Sequence, residues 1–127
     1  MLYALSSREE DFHSILLTFL SLVPSQPPHS VIIRVLSSQS MEVTWSEPPK
    51  NVINGKLLGY RVYYYSKKNP EQVFNRTVMK VDERNVTLTG LRKFTSYRVR
   101  VVAFTRVGEG VASLPRGGTT LEDSKCD

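Results

Sequence analysis

Cysteine and histidine, which most often build metal centres and nucleophilic sites, are scarce in this sequence. The only cysteine is Cys126, near the C-terminal end, so no disulfide forms within the chain. A zinc site built from several cysteines is excluded for the same reason. The two histidines, His13 and His29, both lie near the start of the chain. We therefore expect no metal and no cofactor.

The motifs of common catalytic sites are missing as well. The sequence has no Gly-x-Ser-x-Gly turn, and no lysine follows Gly108 and Gly110 as it would in a phosphate-binding loop. The acidic residues are scattered over predicted turns, and no two of them are predicted to share a cleft. The chain is therefore predicted not to be an enzyme.

No apolar run reaches the ~20 residues that a membrane-spanning helix needs. The longest run lies in residues 1–23, where SREE, at 7–10, has the form of a helix capping box. Apolar residues then recur at helical spacing until Pro24. We predict an N-terminal extension, either an amphipathic helix or a flexible leader. A signal peptide is disfavoured because residues 8–11 carry net negative charge.

Acidic residues are few in the centre of the chain. The formal net charge is +5, and between Pro24 and Thr120 there are 15 Lys and Arg against 6 Asp and Glu. A basic body of this kind attracts polyanions, whether nucleic acid, anionic lipid or sulphated glycan. Charge alone does not choose among these partners.

From Pro24 onward the pattern changes to short runs of period two, separated by Pro, Gly and Asn. Seven short strands with no helix between them predict an all-β sandwich of two antiparallel sheets. The predicted strands are 30–36, 41–45, 58–65, 72–81, 85–88, 97–104 and 111–118.

Alternation along these strands also predicts which side chains face the core. The inward set comprises Val31, Ile33, Leu36, Val43, Trp45, Tyr60, Val62, Tyr64, Met79, Val81, Val86, Leu88, Leu91, Tyr97, Val99, Val101 and Ala103.

Four linked segments resemble parts of a fibronectin type III domain. The family's first two strands are similar to PPHSVIIRVLSSQSMEVTWSEPP, in which Trp45 stands as the core tryptophan. Its third strand is similar to NGKLLGYRVYYY, and its last hairpin to AFTRVGEGVAS, where Thr105 replaces a frequent asparagine. Its corner motif resembles LTGLRKFTSY, with Leu91 followed by Tyr97 and with Lys93 in place of a common proline. The hydroxyl of a tyrosine at such a corner hydrogen-bonds to backbone upstream.

The resemblance implies a seven-stranded, immunoglobulin-like sandwich over residues 24–121, followed by a C-terminal tail at 122–127. It also implies a non-catalytic spacer or protein-interaction module. Such modules occur outside the cell in adhesion molecules and receptor tyrosine phosphatases, where other protein domains are the partners. Two alternatives stay open. One is a domain that binds heparan sulphate or an acidic partner, and the other is a module of an intracellular scaffold. Nucleic acid is not expected as a partner.

Two Asn-x-Thr sequons are candidate glycosylation sites. Asn85 alternates with an inward valine and is therefore predicted to point to solvent. Asn75 lies in the irregular fourth strand. A glycan at either position would place the protein in the secretory pathway.

The resemblance makes the third and sixth strands neighbours, and we expect their outward residues to form a solvated face on which long side chains cover the sheet. The alternative is a basic ligand-binding patch on this face. Arginines could stack on the tyrosines among them. The patch comprises Arg61, Tyr63, Tyr65, Arg76, Lys80, Arg98 and Arg100.

Overall fold

The computed structural model describes residues 24, 26–49 and 56–122. The predictions for the N-terminal extension at 1–23 and for most of the C-terminal tail lie outside this part of the chain. Within the described residues, seven strands form in chain order. They are β1 (His29–Val35), β2 (Met41–Ser46), β3 (Gly59–Ser66), β4 (Asn69–Val78), β5 (Asn85–Leu88), β6 (Ser96–Phe104) and β7 (Arg116–Thr119).

The strands form two antiparallel sheets that face each other. One sheet has the order β1-β2-β5 and the other the order β4-β3-β6-β7. Period-two alternation gives each sheet one apolar face, and the two apolar faces bury each other. The predicted all-β fold with seven strands in two sheets is confirmed.

The core contains most of the side chains that alternation places inward. Trp45 packs edge-on against Tyr60, with ring centroids 5.2 Å apart. The buried apolar side chains of the core are Val31, Met41, Val43, Trp45, Leu57, Tyr60, Val62, Tyr64, Val78, Leu88, Leu91, Tyr97, Val99, Val101 and Ala103. Ile33, Val81 and Val86 pack against them while partly exposed.

Two of the inward predictions were wrong. Leu36 is 42% exposed because it follows the end of β1 and enters the turn in which its N–H donates to the carbonyl of Ser40. Met79 is 66% exposed, and Val78 takes the core position because it is paired with Tyr60. The fourth strand therefore ends at Val78 rather than at 81.

The last strand is shorter than predicted. The segment after β6 does not at first pair with β6 as a regular strand. Its backbone N–H groups donate partly to β6 and partly to Pro24. Gly110 N–H donates to the carbonyl of Ala103, whereas Val111 N–H donates to the carbonyl of Pro24. Regular pairing with β6 begins only at Arg116, opposite Val99.

The corner between β5 and β6 is held by side-chain hydrogen bonds. Tyr97 Oη accepts from Arg92 N–H at 2.8 Å, which is the tyrosine corner that the resemblance implied. Thr95 N–H donates to Thr120 Oγ1 at 2.8 Å, and that hydroxyl donates to the carbonyl of Arg92 at 2.7 Å. Thr120 is buried, so this corner stays tied to the end of β7 without the proline that Lys93 replaces.

The turn after β6 is closed by the threonine that stands in place of asparagine. Thr105 N–H donates to the carbonyl of Gly108 at 3.0 Å. The hydroxyl of Thr105 accepts from Val107 N–H at 3.3 Å. Threonine therefore supplies a side-chain acceptor to the turn, as asparagine would.

Candidate binding face of the four-stranded sheet

The side of the β4-β3-β6-β7 sheet that points away from the core carries five of the predicted patch residues, and we call it the outer face. Its central residues come from β3 and β6, which are directly paired. Tyr63 lies opposite Arg100, and Tyr65 lies opposite Arg98. Arg61 lies on the same side, opposite Val102. Register therefore brings three arginines and two tyrosines together on this face.

Arg61 is not a free cation on the outer face. Its guanidinium forms an ion pair with Glu109 from the turn after β6, and Tyr63 Oη donates to the same carboxylate. Hydrogen bonding with Tyr63 and Glu109 raises the pKa of Arg61, so the group stays charged. Burial, together with the hydrogen bond to Glu109, raises the pKa of Tyr63.

Two further contacts hold Arg61 flat on the sheet. Its Nε donates to Thr77 Oγ1 on β4 at 3.2 Å. Its guanidinium carbon lies 5.1 Å from the centre of the Phe104 ring, within range of a cation–π contact. Arg61 thus covers Phe104, which is buried although it is on the outer side of the sheet. The structure gives this arginine a role in covering the sheet.

Arg98 and Arg100 have a different environment. In the described part of the chain, neither forms a salt bridge with a carboxylate. They are two positions apart on one strand, so their backbones are about 7 Å apart. Arg98 lies against β7 at Gly117, where an added Cβ would stand 3.1 Å from its Nη1. The glycine leaves room for the guanidinium. Arg100 is exposed to solvent.

The structure does not bring Arg76 and Lys80 onto the outer face. Arg76 is paired with Val62, whose side chain is buried in the core, so it lies on the inner side of the edge strand β4. Lys80 follows the end of β4 and lines a depression that also contains Arg76 and Asn85. The irregular alternation of the fourth strand hid this register in the sequence.

The two sequon asparagines lie on different sheets. Asn75 is exposed on β4 and paired with Tyr63, so it belongs to the outer face. Asn85 begins β5 and is paired with Thr44 in the other sheet. It is exposed as well, as alternation predicted.

A separate pocket of about 260 Å³ opens between the β3–β4 hairpin and the corner. Its apolar wall includes Tyr64 and Phe74, whose rings are stacked with centroids 5.6 Å apart. Lys68 and Arg92 line it as well. Because Tyr64 is an inner-face residue, this pocket is distinct from the outer face.

Within residues 26–49 and 56–122, no group of three or more His, Cys, Asp and Glu side chains is placed to hold a metal ion. Nor does the described part of the chain contain a helix of the length and apolarity that crossing a membrane requires.

Glu109 is the residue of this face that the sequence analysis missed. Its position in the sequence was a usable signal. Glu109 lies in the turn after β6, and β6 is the neighbour of β3. An acidic side chain in that turn therefore lies close to the start of β3, where Arg61 stands. Among the described residues, the ion pair reduces the arginines of the face that lack a carboxylate partner from three to two.

Comparison with known proteins agrees with this architecture. The chain is 41% identical over 93 residues to protein sidekick-1 of Gallus gallus, which covers 73% of the chain. It is 40% identical over 106 residues to the human cell adhesion molecule DSCAML1, which covers 84% of the chain. The chain spans only 4% and 5% of these two relatives.

A solved structure shows the same fold. The third fibronectin III domain of human KIAA0343 protein superimposes with a TM-score of 0.69 at 30% identity, covering 84% of this chain and 90% of that one. The model of the fibronectin type III domain family matches residues 26–119. The chain therefore belongs to the fibronectin type III domain family.

Proposed function

We propose that this chain is one extracellular repeat of a larger adhesion protein, and that it binds and spaces other protein domains without catalysing a reaction. Its similarity to parts of much longer relatives, one of them named a cell adhesion molecule, supports this. Its basic composition gives a repeat of this kind an electrostatic preference for acidic partners.

The surface that we propose for binding is centred on Arg98 and Arg100. The observation that carries this proposal is that both arginines lie on one flat face, with no carboxylate of the described residues paired to them. Tyr63 and Tyr65 flank them across the strand pair. Tyrosine and arginine are enriched in protein interfaces, and a guanidinium binds a carboxylate with two parallel hydrogen bonds. The partner is therefore an acidic protein surface.

Heparan sulphate is the alternative ligand for the same charges. A sulphated glycan is held mainly by the number of cations that it meets, and here Glu109 already neutralises Arg61. Among the described residues, two arginines of the face have no carboxylate partner, and they suit a pair of carboxylates better than a long polyanion.

Salt elution from two columns tests the proposal, one column carrying polyglutamate and the other heparin. We expect Arg98→Glu/Arg100→Glu to elute from polyglutamate at clearly lower NaCl than the unmodified protein. The matched control is Lys67→Glu/Lys68→Glu, which makes the same charge change at exposed residues of the β3–β4 turn. Equal elution of the two variants would contradict a localised site. A loss confined to the heparin column would favour the glycan.

Removing the carboxylate of Glu109, which pairs with Arg61, should strengthen retention on polyglutamate instead of weakening it. Glu109→Gln frees a third arginine on the outer face and should raise retention on polyglutamate. Glu83→Gln removes an equal charge at an exposed residue between β4 and β5, in the depression that contains Asn85 and away from the outer face, and serves as the control. If Glu83→Gln raises retention as much, net charge rather than the outer face determines binding.

Use of the sequons tests the extracellular assignment. Expression through a secretory pathway should give a protein whose mass falls after enzymatic deglycosylation. A protein with neither Asn75 nor Asn85 occupied would favour the alternative of an intracellular scaffold module.

A further inference from the structure

We propose that Asn75 is a modification site that controls the outer face: an N-glycan on Asn75 covers Arg98 and Arg100, whereas one on Asn85 leaves them accessible. This inference rests on the proposed function of the face and adds the regulation of that same surface.

The first argument is register. Asn75 is paired with Tyr63, and Tyr63 is paired with Arg100. The three residues therefore form one row across three adjacent strands. Neighbouring strands are about 4.8 Å apart, so the backbones of Asn75 and Arg100 are about 10 Å apart. Side chains in such a row leave the sheet on the same side.

The second argument is exposure. Asn75 is exposed on the edge strand β4, and its neighbour on the same side, Val73, is 51% exposed. The sequon threonine, Thr77, accepts a hydrogen bond from Arg61 and so also lies on the outer face. The intervening Arg76 points to the inner side. A sugar on Asn75 therefore begins in solvent, directly above the outer face.

The third argument is the contrast with Asn85. This residue is paired with Thr44, whereas its neighbour Val86 is paired with the buried Val43. Asn85 therefore leaves the β1-β2-β5 sheet on the side away from the core. The outward sides of two packed sheets point in opposite directions. A glycan on Asn85 is consequently separated from Arg98 and Arg100 by the whole sandwich.

Glycosylation of Asn75 and binding of an acidic partner to Arg98 and Arg100 would therefore exclude each other. An N-glycan is bulky and solvated. By strand spacing, the backbones of Arg100 and Arg98 are about 10 Å and about 12 Å from that of Asn75, and Tyr63 lies in the row between Asn75 and Arg100. A protein surface that docks on Arg100 therefore meets the same row of residues that contains Asn75. Occupancy of this one sequon would therefore determine whether the repeat binds an acidic partner.

Single-sequon variants test the inference with the protein secreted from cells that make only uncharged high-mannose glycans. Asn85→Gln leaves Asn75 as the acceptor, and Asn75→Gln leaves Asn85. Tryptic glycopeptide mass spectrometry measures occupancy, and thermal unfolding checks that both variants are folded. We expect Asn85→Gln to elute from polyglutamate at lower NaCl than Asn75→Gln. Trimming by endoglycosidase H to a single sugar should bring the two elution positions together.

The outcomes separate this inference from the proposed function. An unoccupied Asn75, or equal elution of the two glycoforms, overturns the inference and leaves the proposed function standing. The glycoform difference should also disappear in an Arg98→Glu/Arg100→Glu background, and its persistence there overturns the inference. If those charge changes leave the elution of unglycosylated protein unaltered, the proposed function fails instead.

Discussion

At one end of the β3–β6 pair, Tyr97 is buried and its hydroxyl accepts a 2.8 Å hydrogen bond from Arg92 N–H. At the other end Tyr60 is also buried, but its hydroxyl has no hydrogen-bond partner among the described residues. Trp45, which packs against Tyr60, has an unpartnered Nε1 under the same restriction. Both tyrosines contribute apolar area to one core. Of the two hydroxyls, only that of Tyr97 has a hydrogen-bond partner among the described residues.

The comparison shows two ways of fixing a sandwich end. The corner end depends on a directional hydrogen bond, in which the Tyr97 hydroxyl accepts from the backbone N–H of Arg92. The Tyr60 end depends on packing, and its buried polar atoms reduce the gain from that packing. We therefore expect different kinds of substitution to lower the free energy of unfolding at the two ends.

Loss of packing at the Tyr60 end should have the largest effect. Trp45 is 4% exposed, and Trp45→Ala removes its whole ring from the core. We expect the free energy of unfolding to fall by about 3–5 kcal/mol, as for other large-to-small core changes. Denaturant unfolding measures this loss. Ile32→Ala, at a side chain that is 61% exposed, should change little. A loss below about 1 kcal/mol for Trp45→Ala would contradict the packing account.

Alkaline pH should damage the Tyr60 end next. Burial, with a smaller contribution from the charge of Glu47, raises the pKa of Tyr60 to about 12. Below pH 10 the hydroxyl is protonated in both the folded and the unfolded chain, and this contribution to stability is fully present. Between pH 10 and pH 12 the unfolded chain loses the proton first, so the free energy of unfolding falls. The shift corresponds to about 2–3 kcal/mol.

The phenylalanine variant isolates this alkaline loss from the titration of other tyrosines and lysines. Denaturant unfolding of the unmodified protein and of Tyr60→Phe should be compared from pH 9 to pH 12. The gap between their free energies of unfolding should grow over this range, in favour of the variant. Parallel curves would mean that the Tyr60 hydroxyl reaches water in the folded protein.

Loss of the corner hydrogen bond should have a smaller effect. Tyr97→Phe keeps the ring in the core and leaves Arg92 N–H without its acceptor. We expect the free energy of unfolding to fall by about 1–2 kcal/mol at neutral pH. The loss should appear as a lower denaturant midpoint with an unchanged slope. An unchanged midpoint would show that Thr95 and Thr120 hold the corner by themselves.

At both ends of the β3–β6 pair, the sequence predicted which side chains enter the core better than it predicted their hydrogen bonds and ion pairs. Trp45, Tyr60 and Tyr97 were placed in the core by alternation alone, because a residue of a strand faces one of only two sides. The partner of a hydroxyl or carboxylate is a long-range property of the fold. Glu109 was missed on this account, since it contacts Arg61 from a distant turn. Family resemblance, rather than alternation, supplied the hydrogen bond of Tyr97.

The outer face divides in the same way. Regular alternation in β3 and β6 predicted that Tyr63, Tyr65, Arg98 and Arg100 point outward, and the family resemblance implied that the two strands are neighbours. The fourth strand is an edge strand whose side chains are exposed except for Val78, so its inner positions tolerate polar residues such as Arg76. Without an apolar period, its register could not be derived from the sequence. That one uncertainty accounts for the misplacement of both Arg76 and Met79.

Removal of the Tyr60 hydroxyl should have the smallest effect and the opposite sign to its counterpart at the corner. Tyr60→Phe deletes a buried polar atom that has no partner among the described residues and keeps the aromatic contact with Trp45. A buried hydroxyl without a hydrogen bond opposes folding, so we expect the free energy of unfolding to stay level or rise by up to about 1 kcal/mol at pH 7. The free energies of unfolding of Tyr60→Phe and Tyr97→Phe should be measured under the same conditions. The two variants then compare the loss of one hydroxyl at the two ends of the core. If Tyr60→Phe is as destabilising as Tyr97→Phe, the Tyr60 hydroxyl is hydrogen-bonded in the folded chain, and the two ends are built alike.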